Sequence, residues 1–118
     1  MKVKATREGL IGFKTSSGYV VDKIVPFVAL PSIKALGRFV RVRNVLNNRS
    51  CLAVVLDIGP FNEHDDEYVF HDARPQAESG VSVSGIGTNG AGIDLSEKVW
   101  QMLGMKDNTE VEWVFLDQ

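Results

Sequence analysis

Leu52-Ala53-Val54-Val55-Leu56 is an unbroken apolar run that leads straight into Asp57-Ile58-Gly59-Pro60. A short, continuously apolar segment of this kind is expected of a strand that crosses the interior of a β-barrel. Its last residue before the turn is Asp57, so the strand presents a carboxylate at its mouth. A second carboxylate, Asp94, stands where Ile93-Asp94-Leu95-Ser96 passes from a strand into a helix. Two acids at strand ends beside turn-rich loops are the usual makings of a shallow polar site on a β scaffold.

The rest of the chain reads as short strands and turns. Leu10–Lys14 and Gly18–Lys23 form two expected strands around a Ser16-Ser17-Gly18 turn. Lys23–Ala29 is apolar but contains Pro26, which argues for an extended segment away from the centre of a sheet. Pro31–Gly37 suits one helical turn, with proline near its start and glycine past its end. In Arg38–Leu46 the residues Phe39, Val40, Val42 and Val45 are assigned to an apolar side, with Arg41 and Arg43 outward. Asn47-Asn48-Arg49-Ser50 is a hairpin turn. Leu95–Leu103 is the one expected helix: Leu95, Val99, Met102 and Leu103 share a face, and Gly104 ends it. Asp94 and Glu97 have the spacing of a capping box, which makes Asp94 the expected N-cap. Thr109–Leu116 alternates as a last strand, with Val111, Trp113 and Phe115 on one face.

Residues 61–90 are a polar connection much longer than usual. They hold both histidines, His64 and His71, and the acids Glu63, Asp65, Asp66 and Glu67. The composition predicts the most exposed and mobile part of the domain, anchored only by Tyr68 and Phe70. The acids and histidines match neither the H-E-x-x-H spacing nor a calcium-binding EF-hand loop, so no metal or other cofactor is expected.

The 118 residues make one domain, 1–118, with the insert at about 62–90. A net charge of −2 and a pI near 5.6 argue against a nucleic-acid partner bound through its phosphates. No run is apolar and long enough to span a membrane. Cys51 is the sole cysteine and lies in an apolar strand pattern, which predicts a buried, inert thiol. Met1-Lys2-Val3-Lys4 is followed by charge and lacks the apolar core of a secretory signal.

Several motifs occur together in order. They are Lys14-Thr15-Ser16-Ser17-Gly18, Leu30-Pro31, Gly37-Arg38-Phe39-Val40-Arg41-Val42-Arg43-Asn44, Val55-Leu56-Asp57-Ile58-Gly59-Pro60-Phe61, and Ile93-Asp94-Leu95-Ser96 before Leu103-Gly104. The set resembles the RlpA-like double-psi β-barrel, a fold shared with expansins, barwin-like proteins and family 45 endoglucanases. The resemblance implies a mainly β, six-stranded double-psi barrel with one short helix. It also implies an extracytoplasmic location in the periplasm or cell envelope, and a partner that is a peptidoglycan-like polysaccharide.

By that likeness Asp57 and Asp94 are the catalytic candidates, acting as general acid or base on a glycosidic oxygen. The plainer reading of Asp57 is a carboxylate that accepts backbone N–H bonds in its own turn. Tyr68 and Phe70 are candidates for stacking on sugar rings. Asn62, His64, His71 and Arg74 are further candidates for substrate contact, with Arg74 able to pair with Asp57 or with a peptide-stem carboxylate. RlpA-type transglycosylases carry a histidine shortly before the L-P motif. Here Phe27 or Pro31 stands at that place; His64 or His71 could fold back over Asp57 as a substitute, and the plainer reading is a pair of solvated loop histidines. The loss of that histidine opens a second expectation: a non-catalytic binding or assembly module, such as a phage or secretion-apparatus component. Convergence of Asp57, Asp94 and a histidine on one groove would separate the two.

Overall fold

The computed structural model describes residues 1–116. Six strands close a mixed barrel: β1 (Lys2–Arg7), β2 (Phe27–Leu30), β3 (Phe39–Asn44), β4 (Ser50–Ile58), β5 (Ile93–Leu95) and β6 (Glu110–Phe115). Their order around the barrel is β1-β5-β2-β4-β3-β6. The β1–β5 and β2–β4 pairs are parallel and the others antiparallel. The protein is thus a mainly β, closed six-stranded barrel, compatible with the double-psi arrangement. Two short helices, α1 (Asp66–His71) and α2 (Glu97–Met102), pack outside it, with 3₁₀ turns at Ile33–Ala35 and Gln76–Ser79.

The interior is filled by small and β-branched side chains, as the narrow lumen of a six-stranded barrel requires. Val3 and Ala5 come from β1, Val28 and Leu30 from β2, Val40 and Val42 from β3, Ala53 and Val55 from β4, and Val111 from β6. The Asn44 side chain points inward as well, and its Nδ2 donates to the Leu103 carbonyl at 3.0 Å, tying β3 to the end of α2.

The 3₁₀ turn at Ile33, the strands β3 and β6, and the end of the helix before Gly104 lie where the pattern places them; the helix begins later than expected, at Glu97, because Leu95 belongs to β5. Other expectations are corrected. The first strand is Lys2–Arg7, while Leu10–Lys14 and Gly18–Lys23 hold only an isolated bridge between Lys14 and Val20. β2 is a central strand, buried throughout and paired on both sides; Pro26 sits one residue before it, where a missing N–H costs no ladder bond. Leu52–Leu56 alternates, with Leu52 exposed and Ala53 and Val55 inward, because its outer face meets solvent. Phe39 likewise faces outward.

The insert is more ordered than its composition predicts. Its backbone is latched to the Pro31–Lys34 turn: Ile33 N donates to the Glu63 carbonyl and Asp65 N to the Pro31 carbonyl. Ser32 Oγ donates to Asp66 at 2.6 Å, and Lys34 Nζ pairs with the same carboxylate at 2.9 Å. Val69, Ala77, Asn62 and Ser82 are buried in addition to Tyr68. The exposed apolar residues of the insert gather around the bridge joining Val81 to Gly87, where Val83 and Ile86 face solvent.

Candidate functional site

A slip in strand register assembles the site. β2 and β4 pair in parallel with Phe27 opposite Val54 and Val28 opposite Val55. After that the register shifts by one, so that Ala29 lies opposite Asp57. Leu56 is thereby skipped and Asp57 is turned to the face opposite that of Val55, the re-aiming that a bulge beside a site provides. On its other side Ala29 pairs with Asp94 of β5, and Asp94 pairs with Thr6 of β1. Directly paired residues share a face. Asp57, Ala29, Asp94 and Thr6 therefore stand in one row across four strands, with a bare methyl group between the two acids.

Glu8 extends the row. It is two residues beyond Thr6, hence on the same face, and Glu8 N carries the ladder on by donating to the Leu95 carbonyl at 2.9 Å. Its Oε2 is buried with no hydrogen-bond partner. Burial raises its pKa to about 8, with help from the negative charges of Asp57 and Asp94 and from hydrogen bonding to Asp57. Glu8 is therefore a carboxyl that keeps its proton at neutral pH.

Asp94 is raised to about 6, chiefly by burial; a hydrogen bond from Thr6 opposes the rise and the charge of Asp57 adds to it. Asp57 Oδ1 accepts from Ser16 N at 3.0 Å, Ser16 Oγ at 2.9 Å and Ile58 N at 2.9 Å. The loop after β1 is thus pinned to the mouth of β4. Gly59 closes the site: a Cβ there would stand 3.8 Å from Asp94 Oδ2, and its φ of 135° is one that side chains rarely adopt.

Residues 1–114 match the family described as a domain of unknown function, DUF8814. The chain belongs to that family. The match runs from β1 into β6 and takes in Glu8, Asp57 and Asp94 together. No curated protein matches the chain.

The other candidates occupy different parts of this DUF8814 barrel. Tyr68 is buried; its hydroxyl donates to the Gly92 carbonyl at 2.9 Å and accepts from Trp113 Nε1 at 2.8 Å. Phe70 stacks on Phe115 at 5.4 Å between centroids, with the Arg38 guanidinium over both rings. Arg74 pairs with Glu78 and donates to the Lys2 carbonyl at 3.0 Å, instead of reaching Asp57. His71 is exposed in the last turn of α1. Asn62 and His64 line a separate cavity of about 150 Å³ with Asp65, Gln76 and Val83. Asp57 and Asp94 accept from Thr6, Ser16 and Ile58, and Asp57 also bonds to Glu8; neither histidine is among these partners.

Asp94 is not a helix cap. Ser96 is the N-cap of α2, and its Oγ accepts from Val99 N. Asp94 lies inside β5, where pairing with β1 and β2 fixes its direction. The three carboxylates line a face instead of surrounding a point, and among the described residues no group of three His, Cys, Asp or Glu side chains is placed to hold a metal ion. Cys51 is buried, with its pKa pushed up to about 11 by that burial, which fits an inert thiol.

Proposed function

We propose that the Glu8–Asp57–Asp94 face is a glycan site of the RlpA-like type that binds a peptidoglycan-like polysaccharide and cleaves it by acid catalysis. The observation that carries this reading is the placement of three carboxyl groups, Glu8, Asp57 and Asp94, on one outward face of a barrel whose motifs resemble that family, with Glu8 Oε2 buried and unpartnered. Glu8 supplies the proton for the glycosidic oxygen, since its pKa of about 8 keeps it loaded at neutral pH. Asp57, held by three donors from Ser16 and Ile58, is the carboxylate against which that proton is positioned. Asp94 lies two strand spacings from Asp57, about 9.5 Å along the sheet, and faces the positive charge that develops on the sugar ring as the C–O bond to the leaving oxygen breaks; water adds to that anomeric carbon and gives up its proton to a carboxylate of the face.

The second reading, a non-catalytic binding or assembly module, is favoured by the ties that hold Asp57 and Asp94 in place, from Thr6, Ser16 and the Ile58 amide. Purified sacculi separate the two. Wild-type protein is expected to sediment with them and release soluble fragments. Glu8→Gln should lose release by a factor of about 10² or more while still sedimenting. Sedimentation without release by wild type favours the binding module. Neither sedimentation nor release overturns both.

A further inference from the structure

Asn62 is only 3% exposed, yet its Nδ2 has no hydrogen-bond partner. An amide left in this state costs about 1–3 kcal/mol, so it calls for an explanation, and a bound group that supplies an acceptor is one. The other end of the side chain is committed: Asn62 Oδ1 accepts from Val83 N at 3.1 Å, which orients the amide and holds the Val81–Gly87 loop against it. Asn62 lines the cavity of about 150 Å³ whose other walls are His64, Asp65, Gln76 and Val83. At about 30 Å³ per water-sized volume, it has room for a group of about five heavy atoms.

The lining selects the chemistry of that group. The unpaired N–H₂ requires an oxygen acceptor. The Asp65 carboxylate repels an anion, and it already accepts from Gln76 N at 2.7 Å, so it offers its remaining acceptor capacity to an N–H donor. Val83, with its side chain largely exposed, presents methyl groups to an apolar end. A neutral oxygen acceptor, an N–H donor and a methyl group within this size are together an acetamido group. A free acetate would lack the donor and carry the wrong charge.

We infer that the Asn62 cavity is a subsite for the N-acetyl group of an amino sugar. The inference rests on the glycan reading above and deepens it. Asn62 follows the Asp57–Pro60 turn by two residues, so the cavity is built on the segment that leads on from Asp57. The carbonyl oxygen of the acetamido group accepts from Asn62 Nδ2, its N–H donates to Asp65, and its methyl rests on Val83. His64 and Gln76, both exposed, form the movable rim.

Two tetrasaccharides identical except at this group decide the matter: the β-1,4 tetramer of N-acetylglucosamine and the β-1,4 tetramer of glucose, each titrated calorimetrically into the protein. Wild type is expected to prefer the acetylated chain by about tenfold or more, the worth of one such buried pairing. Asn62→Asp keeps the acceptor for Val83 N and removes the N–H₂, and should erase the preference. Val83→Ser, at a side chain too exposed to matter for folding, should reduce it several-fold even if Asn62→Asp fails to fold. Equal binding of both tetramers by wild type overturns the subsite and leaves the glycan reading standing. Binding of neither overturns both.

Discussion

Glu8 and Asp94 both bind a proton more tightly in the folded protein than in the unfolded chain. Each therefore contributes stability that is fully present below the ordinary carboxyl range, and that is lost as the pH rises through about 6 for Asp94 and about 8 for Glu8. The melting temperature of the wild type should fall between about pH 5 and about pH 8.5 as these two lose their protons. Glu8→Gln, neutral at every pH, should flatten the upper part of that fall. A Glu8→Gln profile parallel to wild type throughout would mean that Glu8 titrates like an exposed acid. If Glu8 is the proton donor, the same group sets the alkaline limb of any glycan cleavage, near pH 8. Nothing local in Arg7-Glu8-Gly9 marks this residue. Its character comes first from burial and then from acids roughly fifty and more residues away along the chain, brought beside it by the pairing of β1 with β5 and β5 with β2.

At the level of the elements, the legible features were those with strong periodicity. The alternation of β6 and the apolar stripe of α2 announce themselves. β1 does not, because Lys2, Lys4 and Arg7 outweigh Val3 and Ala5, the small residues that fit a narrow lumen. The register slip at Leu56 is hidden within a uniformly apolar run, although it decides which way Asp57 points. The D-x-x-E spacing at Asp94 suggested a cap, but the strand claims Asp94 and leaves Ser96 to cap α2. Ser96 Oγ accepts from Phe27 N at 3.0 Å as well as from Val99 N, so it joins the helix to β2. Ser96→Ala should cost about 2 kcal/mol or more in urea denaturation, from a lost cap and a buried N–H left unpaired. Asp94→Asn should leave the start of α2 intact. Tyr68 makes a comparable junction between α1, β6 and the Gly92 turn, where a Cβ on Gly92 would meet the Tyr68 hydroxyl at 2.8 Å. Tyr68→Phe should lower stability by about 1–3 kcal/mol without changing the affinity for glycan; a loss of affinity at unchanged stability would instead make Tyr68 a ligand contact.

Over the whole molecule, closure leaves no strand edge open for pairing with another chain. Hydrogen exchange should show graded protection in the insert. Amides such as Val69, bonded to the Asp65 carbonyl, should be protected almost as well as the barrel, while that of the exposed Ser84 should exchange early. Uniformly fast exchange across residues 62–90 would return the insert to the mobile loop that its composition suggests. Closure also carries a consequence for biogenesis. β1 leaves the ribosome well before its two neighbours, β5 and β6, and the barrel has no complete ring until β6 has emerged. Until then Val3 and Ala5 have no partners, and Glu8 is an ordinary hydrated acid far from Asp57 and Asp94. Folding is thus a late event in synthesis, governed by contacts distant along the chain. A nascent chain arrested before β6 should be cut readily by protease, and one arrested with β6 outside the exit tunnel should resist. The acidic face and the last strand of the barrel would come into being in the same step.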